Sequence, residues 1–182
     1  NVISLSNLTE FVNDTRKLIT FSSGAEIHKL NTYYGLSKKI CTNLVKDKRN
    51  IKNLRIYNAF GELGMTDSFV YLTIQRCLND EDVIIWNDHL FDTYYVNNII
   101  DLIVLLINNN SSTYEEINCV YEKKYRLSEI ALLIKQMCHS KSNIIIDETT
   151  ASSGYCGQFK EYPGLQLTEL EPGLMNMIEH IK

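Results

Sequence analysis

The sequence predicts an α/β fold in which parallel strands alternate with helices, and three observations predict it. Short β-prone apolar runs recur at Lys17–Phe21, Leu54–Tyr57, Val83–Trp86, Ile117–Tyr121 and Asn143–Asp147. Stretches with apolar residues at helical spacing lie between them. Such alternation builds parallel sheets joined by helical crossovers, right-handed by the usual rule. The third observation is one stretch, Leu18–Ile27 followed by Tyr33–Lys38. It reads as a buried strand, a turn rich in hydroxyls, and a helix that opens on Tyr34-Gly35-Leu36-Ser37-Lys38.

Taken in order, residues 2–12 place Leu5, Leu8, Phe11 and Val12 at helical spacing, and Asn13-Asp14 breaks the helix. Lys17–Phe21 is a core strand and 24–33 a loop. From Tyr34 to about Lys48 a helix repeats Leu36, Ile40 and Leu44. Leu54–Tyr57 is the next strand, and Gly61 and Gly64 mark a loop. Ser68–Leu78 is a helix and Val83–Trp86 a strand. Tyr94–Val96 is strand again, with Asn97-Asn98 placed to cap a helix over Ile99–Ile107. That helix is apolar nearly all round, which predicts deep burial. After the loop 108–112 come the strand Ile117–Tyr121, a helix capped by Ser128, and the strand Asn143–Asp147. Residues 148–172 hold both prolines and read as irregular; Leu174–Ile181 is a closing helix.

Composition excludes several function classes. The chain has 182 residues, 45% hydrophobic and 22% charged, with a net charge of −4. That is ordinary globular composition without the basic footprint of a nucleic-acid binder. The run Lys46-Asp47-Lys48-Arg49 reads as the solvated end of a helix. The five cysteines are odd in number and widely spaced, with no C-x-x-C, so neither a disulfide framework nor a zinc site is predicted. This usage fits a reducing cytoplasm. The four histidines form no ligand spacing, and no metal is expected. No apolar run is long enough to span a membrane.

The Tyr34 to Lys38 spacing puts a phenol and an ammonium on one helix face, one turn apart. The spacing alone is a weak signal. Its context carries the information, and here the chain resembles the extended short-chain dehydrogenase/reductases, in particular the NAD-dependent sugar-nucleotide epimerase/dehydratase branch. Residues 1–8 resemble the helix before that family's catalytic strand. Leu54-Arg55-Ile56-Tyr57-Asn58-Ala59-Phe60-Gly61 resembles its strand toward the substrate diphosphate, and 83–86 and 92–96 its later strands. The resemblance implies part of a Rossmann-type doubly wound parallel sheet with a smaller α/β substrate lobe. It places 1–62 in the dinucleotide-binding domain and 63–182 mainly in the substrate lobe, with 91–121 returning to the sheet. No G-x-G-x-x-G turn occurs in the sequence. The family carries that turn, which seats the cofactor pyrophosphate, well upstream of the catalytic strand. The expectation is therefore a C-terminal part of a longer enzyme, inactive by itself.

The resemblance also implies roles. Free tyrosine titrates near ~10, and a nearby ammonium favours the phenolate. Tyr34 is the expected general base, Lys38 its electrostatic partner and a cofactor ligand, and Ser23 the group that holds the sugar oxygen. Tyr34, Lys38 and Tyr57 are expected at NAD or NADP, and Ser23 and Asn58 at a nucleotide-sugar substrate. A homodimer through helices 2–12 and 34–48 is implied as well. Ser22 competes with Ser23. The family's catalytic hydroxyl lies four residues before an aromatic, whereas Ile27 follows Ser23 by four. Aligning His28 with that aromatic would put Gly24 in the catalytic place. Phe91 stands where relatives carry a phosphate-gripping arginine. Gly24-Ala25 lacks the Asp-Glu pair of the dehydratases, and Ala25 replaces the cysteine of the epimerase-reductases. What remains is hydride transfer at a sugar carbon, by a 4-epimerase or ketosugar reductase. The rival expectation is a non-catalytic relative retained for binding or scaffolding.

Overall fold

In a computed structural model that describes residues 2–13, 15–147 and 154–182, the chain forms two compact units. Asp14 of the expected helix break and 148–153 of the expected irregular stretch lie outside the described residues. One unit comprises 1–57, 99–120 and 157–166; the other comprises 58–98, 121–156 and 167–182.

The first unit holds a parallel sheet of β1 (Leu18–Ser23), β2 (Ile51–Ile56) and β6 (Glu115–Cys119), in the order β1-β2-β6. Leu18 pairs with Ile51 and Ser23 with Ile56, so the two strands start and end together. Ile51, Leu54 and Cys119 are buried, as Val/Ile/Leu-rich parallel strands require. Helices α1 (Val2–Thr9) and α3 (Tyr33–Val45) pack against each other. The expected loop 24–33 contains one helical turn, α2 (Ala25–His28), which packs on α3. Thr32 caps α3 by accepting from the Gly35 N–H at 3.0 Å. Gly35 is the reason α2 and α3 can touch. A Cβ there would come within 2.1 Å of the Lys29 carbonyl oxygen and 2.6 Å of that of Ala25.

The helix α5 (Val96–Asn108) starts earlier than its periodicity implied. Asn97 and Asn98 lie inside it rather than capping it. Asn98 is wholly buried, donating to the Thr168 carbonyl at 2.8 Å and accepting from the Thr168 N–H at 2.8 Å. Nor is α5 buried all round. Ile99, Leu102 and Leu106 are inside, but Ile100, Val104 and Ile107 are each more than half exposed. A helix shows one stripe to its own sheet, and an apolar back face does not by itself create a second layer.

The second unit contains two short parallel sheets, β3 (Ala59–Phe60) with β5 (Tyr94–Tyr95) and β4 (Val83–Ile85) with β7 (Ile144–Ile146). Helices α4 (Phe69–Leu78), α6 (Leu127–Cys138) and α7 (Leu170–Ile181) supply buried Ile74, Ile130, Ile134, Leu174 and Ile178. Ser68 caps α4. Ser128, expected as a cap, is instead inside α6. Asp88 accepts from its N–H at 3.0 Å and its hydroxyl at 2.8 Å, so the cap comes from a distant loop. The last helix begins at Leu170, ahead of Pro172 and Gly173, because proline is tolerated in a first turn. Gly173 lets that turn lie on Phe60 and Tyr95; a Cβ would meet those rings at 3.1 and 3.0 Å.

Candidate active site

Ser22 and Ser23 end β1, and their side chains meet different surroundings. Ser22 Oγ donates to the buried carboxylate of Glu26, and Thr42 of α3 donates to the same carboxylate, with its Oγ1 3.2 Å from Ser22 Oγ. Glu26, 1% exposed, also accepts from Arg55 Nε at 2.6 Å and from its Nη2. Arg55 continues to Glu116 at 2.7 Å and Asn118 at 2.8 Å. Ser22 thus belongs to a buried network joining β1, α2, α3, β2 and β6. Ser23 Oγ accepts from the Ala25 N–H at 3.2 Å.

Within that network burial pulls the Arg55 guanidinium down, but hydrogen bonds and charge from Glu116 and Glu26 outweigh it and hold it above its ordinary value. Burial pushes Glu116 up, and the hydrogen bonds from Arg55 and Tyr114 outweigh that, holding its carboxyl below its ordinary value.

Tyr34 and Lys38 come together at the start of α3. Lys38 Nζ lies 5.8 Å from the Tyr34 ring centroid, within cation–π range. The same ammonium donates to the Phe21 carbonyl at 2.8 Å, on the strand that carries Ser22 and Ser23. Tyr34 is about half exposed. An ammonium has three N–H donors. With one on Phe21, two remain, beside a half-exposed phenol.

Gly24 and Tyr57 fit each other. A Cβ at Gly24 would fall 2.3 Å from the Tyr57 ring, and one at Gly157 2.6 Å from it. The Tyr57 ring, 6% exposed, therefore packs between two backbones, with His28 edge-on at 5.9 Å. No side chain fits at position 24 while Tyr57 stays in place. The glycines at 24, 35 and 157 shape this region without carrying chemistry.

In the second unit, Asn58 Nδ2 donates to the Asp92 carbonyl at 3.1 Å, and Tyr94 N–H donates to the Asn58 carbonyl at 2.8 Å. Asn58 thereby ties β3 to the segment before β5. Asp92 is 3% exposed and holds Lys124 Nζ at 2.9 Å through both oxygens. Phe91 packs among the rings of Phe69 (6.1 Å), His89 (6.0 Å) and Tyr155 (6.4 Å). Among the described residues no group of His, Cys, Asp and Glu could hold a metal, and no helix is long and apolar enough to cross a membrane.

No protein-family profile and no curated protein matches the chain in sequence. Solved structures match its fold. The UDP-glucose 4-epimerase of Thermotoga maritima, bound to UDP-glucose, superposes with a TM-score of 0.77 at 17% identity. The match covers 99% of this chain and 67% of that one. A GDP-D-glycero-L-gluco-heptose synthase from Campylobacter jejuni, solved with NADPH, gives 0.75 at 13% identity, covering 99% and 74%. The dTDP-glucose 4,6-dehydratase of Bacillus anthracis, in complex with NAD, gives 0.74 at 14%, covering 98% and 65%. The chain therefore shares the Rossmann-type α/β fold of these structures, and spans about two thirds of their length.

Proposed function

We propose that the chain is the catalytic-strand and substrate-lobe part of an NAD(P)-dependent sugar-nucleotide epimerase or ketosugar reductase. The observation that carries this reading is the Lys38 ammonium, tethered to the Phe21 carbonyl and set beside the Tyr34 ring at the end of the strand that presents Ser23. Tyr34 Oη takes the proton from a sugar hydroxyl during oxidation and returns it during reduction. Lys38 sets its positive charge beside the Tyr34 ring. Ser23 Oγ donates to the sugar oxygen. Tyr57 backs the turn from the side of Gly24, and Asn58 serves the substrate lobe. The donor set fits a nicotinamide dinucleotide: the two remaining N–H groups of Lys38 and the Tyr34 hydroxyl would hold its ribose. That group, when bound, supplies the hydride acceptor and donor.

Replacing Tyr34 with Phe in the complete enzyme removes only a half-exposed hydroxyl. The expected result is a rate loss of roughly 10²–10⁴, the usual size of a proton-transfer contribution, at unchanged melting temperature. An unchanged rate would favour the second reading, a non-catalytic relative. Phe91 supports that reading, since it packs among aromatic rings at the position where the resemblance implies a phosphate-gripping arginine.

A further inference from the structure

We propose a second ligand site, for a small phosphate monoester, at the end of the first unit opposite Ser23. The register of the parallel sheet creates it. Because Leu18 pairs with Ile51, the residues that precede β1 and β2 emerge side by side: Arg16 and Lys17 from one, Lys48 and Arg49 from the other. Left-handed turns at Asp47 (φ 62°) and Asn50 (φ 60°) set the second pair in place. Asn50, 4% exposed, locks the corner by donating from Nδ2 to the Asn13 carbonyl at 2.7 Å and from its N–H to the Ser112 carbonyl at 2.7 Å.

Between these loops and the end of α1 lies a cavity of about 270 Å³ lined by Thr9, Val12, Asn13, Lys48, Arg49, Asn50 and Ile51. Among the described residues, its cations Lys48 and Arg49, and Lys17 ahead of the neighbouring strand, bond to neutral groups. Lys48 Nζ donates to Thr9 Oγ1 at 3.4 Å, Arg49 Nη2 donates to Ser112 Oγ at 3.2 Å, and Lys17 Nζ donates to the Asn109 carbonyl. Among the described residues none of Arg16, Lys17, Lys48 and Arg49 is in an ion pair. Lys52, Arg55, Lys124 and Arg126 all face carboxylates. In a chain of net charge −4, these four cations, none of them ion-paired among the described residues, gather positive charge at one sheet end and make it attractive to an anion. The guanidinium fork matches phosphate oxygens two at a time, and the ammonium adds a point charge. The volume is just below the ~300–1,000 Å³ of drug-sized pockets, which suits one phosphate on a small carbon skeleton. The strand between this end and Ser23 spans roughly 17 Å at ~3.3 Å per residue, so occupancy here does not compete at Ser23. The inference does not rest on the proposed function.

The test titrates inorganic phosphate and glycerol 3-phosphate into the full protein, at constant ionic strength in chloride, and follows binding by calorimetry and amide NMR shifts. Saturable binding with shifts at Asn50 and Ile51 is expected, weakened at least tenfold in Lys48→Gln/Arg49→Gln. Both side chains are exposed, so that variant folds, as unchanged amide dispersion elsewhere will verify. Lys39→Gln should leave the binding unaltered. Equal binding by wild type and double variant, no saturation, or loss of both ligands to chloride overturns the site. Binding that requires a polyanion such as RNA also overturns it, in favour of a nucleic-acid surface.

Discussion

Adjacent serines at a strand end have side chains on opposite faces, and that period of two separates their roles here. Ser22 points into the network of Glu26, Thr42 and Arg55, and Ser23 points to the turn. Ser22→Ala removes a donor from a buried carboxylate and is expected to cost about 1–3 kcal/mol of stability. Ser23→Ala is expected to lower the rate of the complete enzyme. Urea denaturation and initial rates on both variants check this; a stable, inactive Ser22→Ala would exchange the two roles. The sequence offered two hydroxyls and a reason to prefer the second. It could not show that the first is already engaged, because Glu26 reads as a loop carboxylate until Arg55 is brought to it from 29 positions away.

At the scale of elements, the buried charge network decides how α2 and α3 sit on the sheet. Glu26 lies in α2, Thr42 in α3, Arg55 in β2 and Glu116 in β6. Arg55→Met leaves Glu26 buried without its cation and is expected to destabilise by about 3–5 kcal/mol, measured by denaturant titration. Acid acts on the same contacts. Glu116 has its carboxyl held below the usual value, so its contribution is present above the unfolded value of about 4.3 and is lost as pH falls through its lower folded value. The acid limb of a melting-temperature profile should therefore be steep below about pH 4.3 and flatter in Glu116→Gln. A limb of equal slope in both proteins would remove Glu116 from the account. The β-prone runs and helical stripes of these elements were legible beforehand. The short helix α2 was not, because four residues carry too little periodicity to register.

For the molecule as a whole, β1 pairs only with β2 among the described residues, and the sequence has no glycine-rich pyrophosphate turn. The 182-residue chain alone is therefore expected to turn over nucleotide sugars no faster than background, in a coupled assay with NAD or NADP. Robust turnover would show that it needs no further sheet. Apolar side chains also stand exposed on the paired helices: Ile3 and Leu8 on α1, Leu36 and Ile40 on α3. They are the surface that the homodimer implied by the resemblance would cover. Ile3→Asp/Ile40→Asp should convert the dimer to a monomer in analytical ultracentrifugation; a monomeric wild type would refute the interface.

The alternation of β-prone runs and helical stripes determined by itself that this is an α/β protein, and the Tyr34–Lys38 spacing determined that a phenol and an ammonium share a helix face. Both follow from local geometry, the 2.0 and 3.6 residue periods that sequence records directly. Tertiary structure alone decided that Lys38 reaches back to Phe21, that Tyr57 fills the space beside Gly24, that Asn98 is a buried strut, and that one face of α5 stays exposed. Those outcomes depend on groups brought together from positions far apart in the chain. Only packing and the pairing of buried polar atoms can select them.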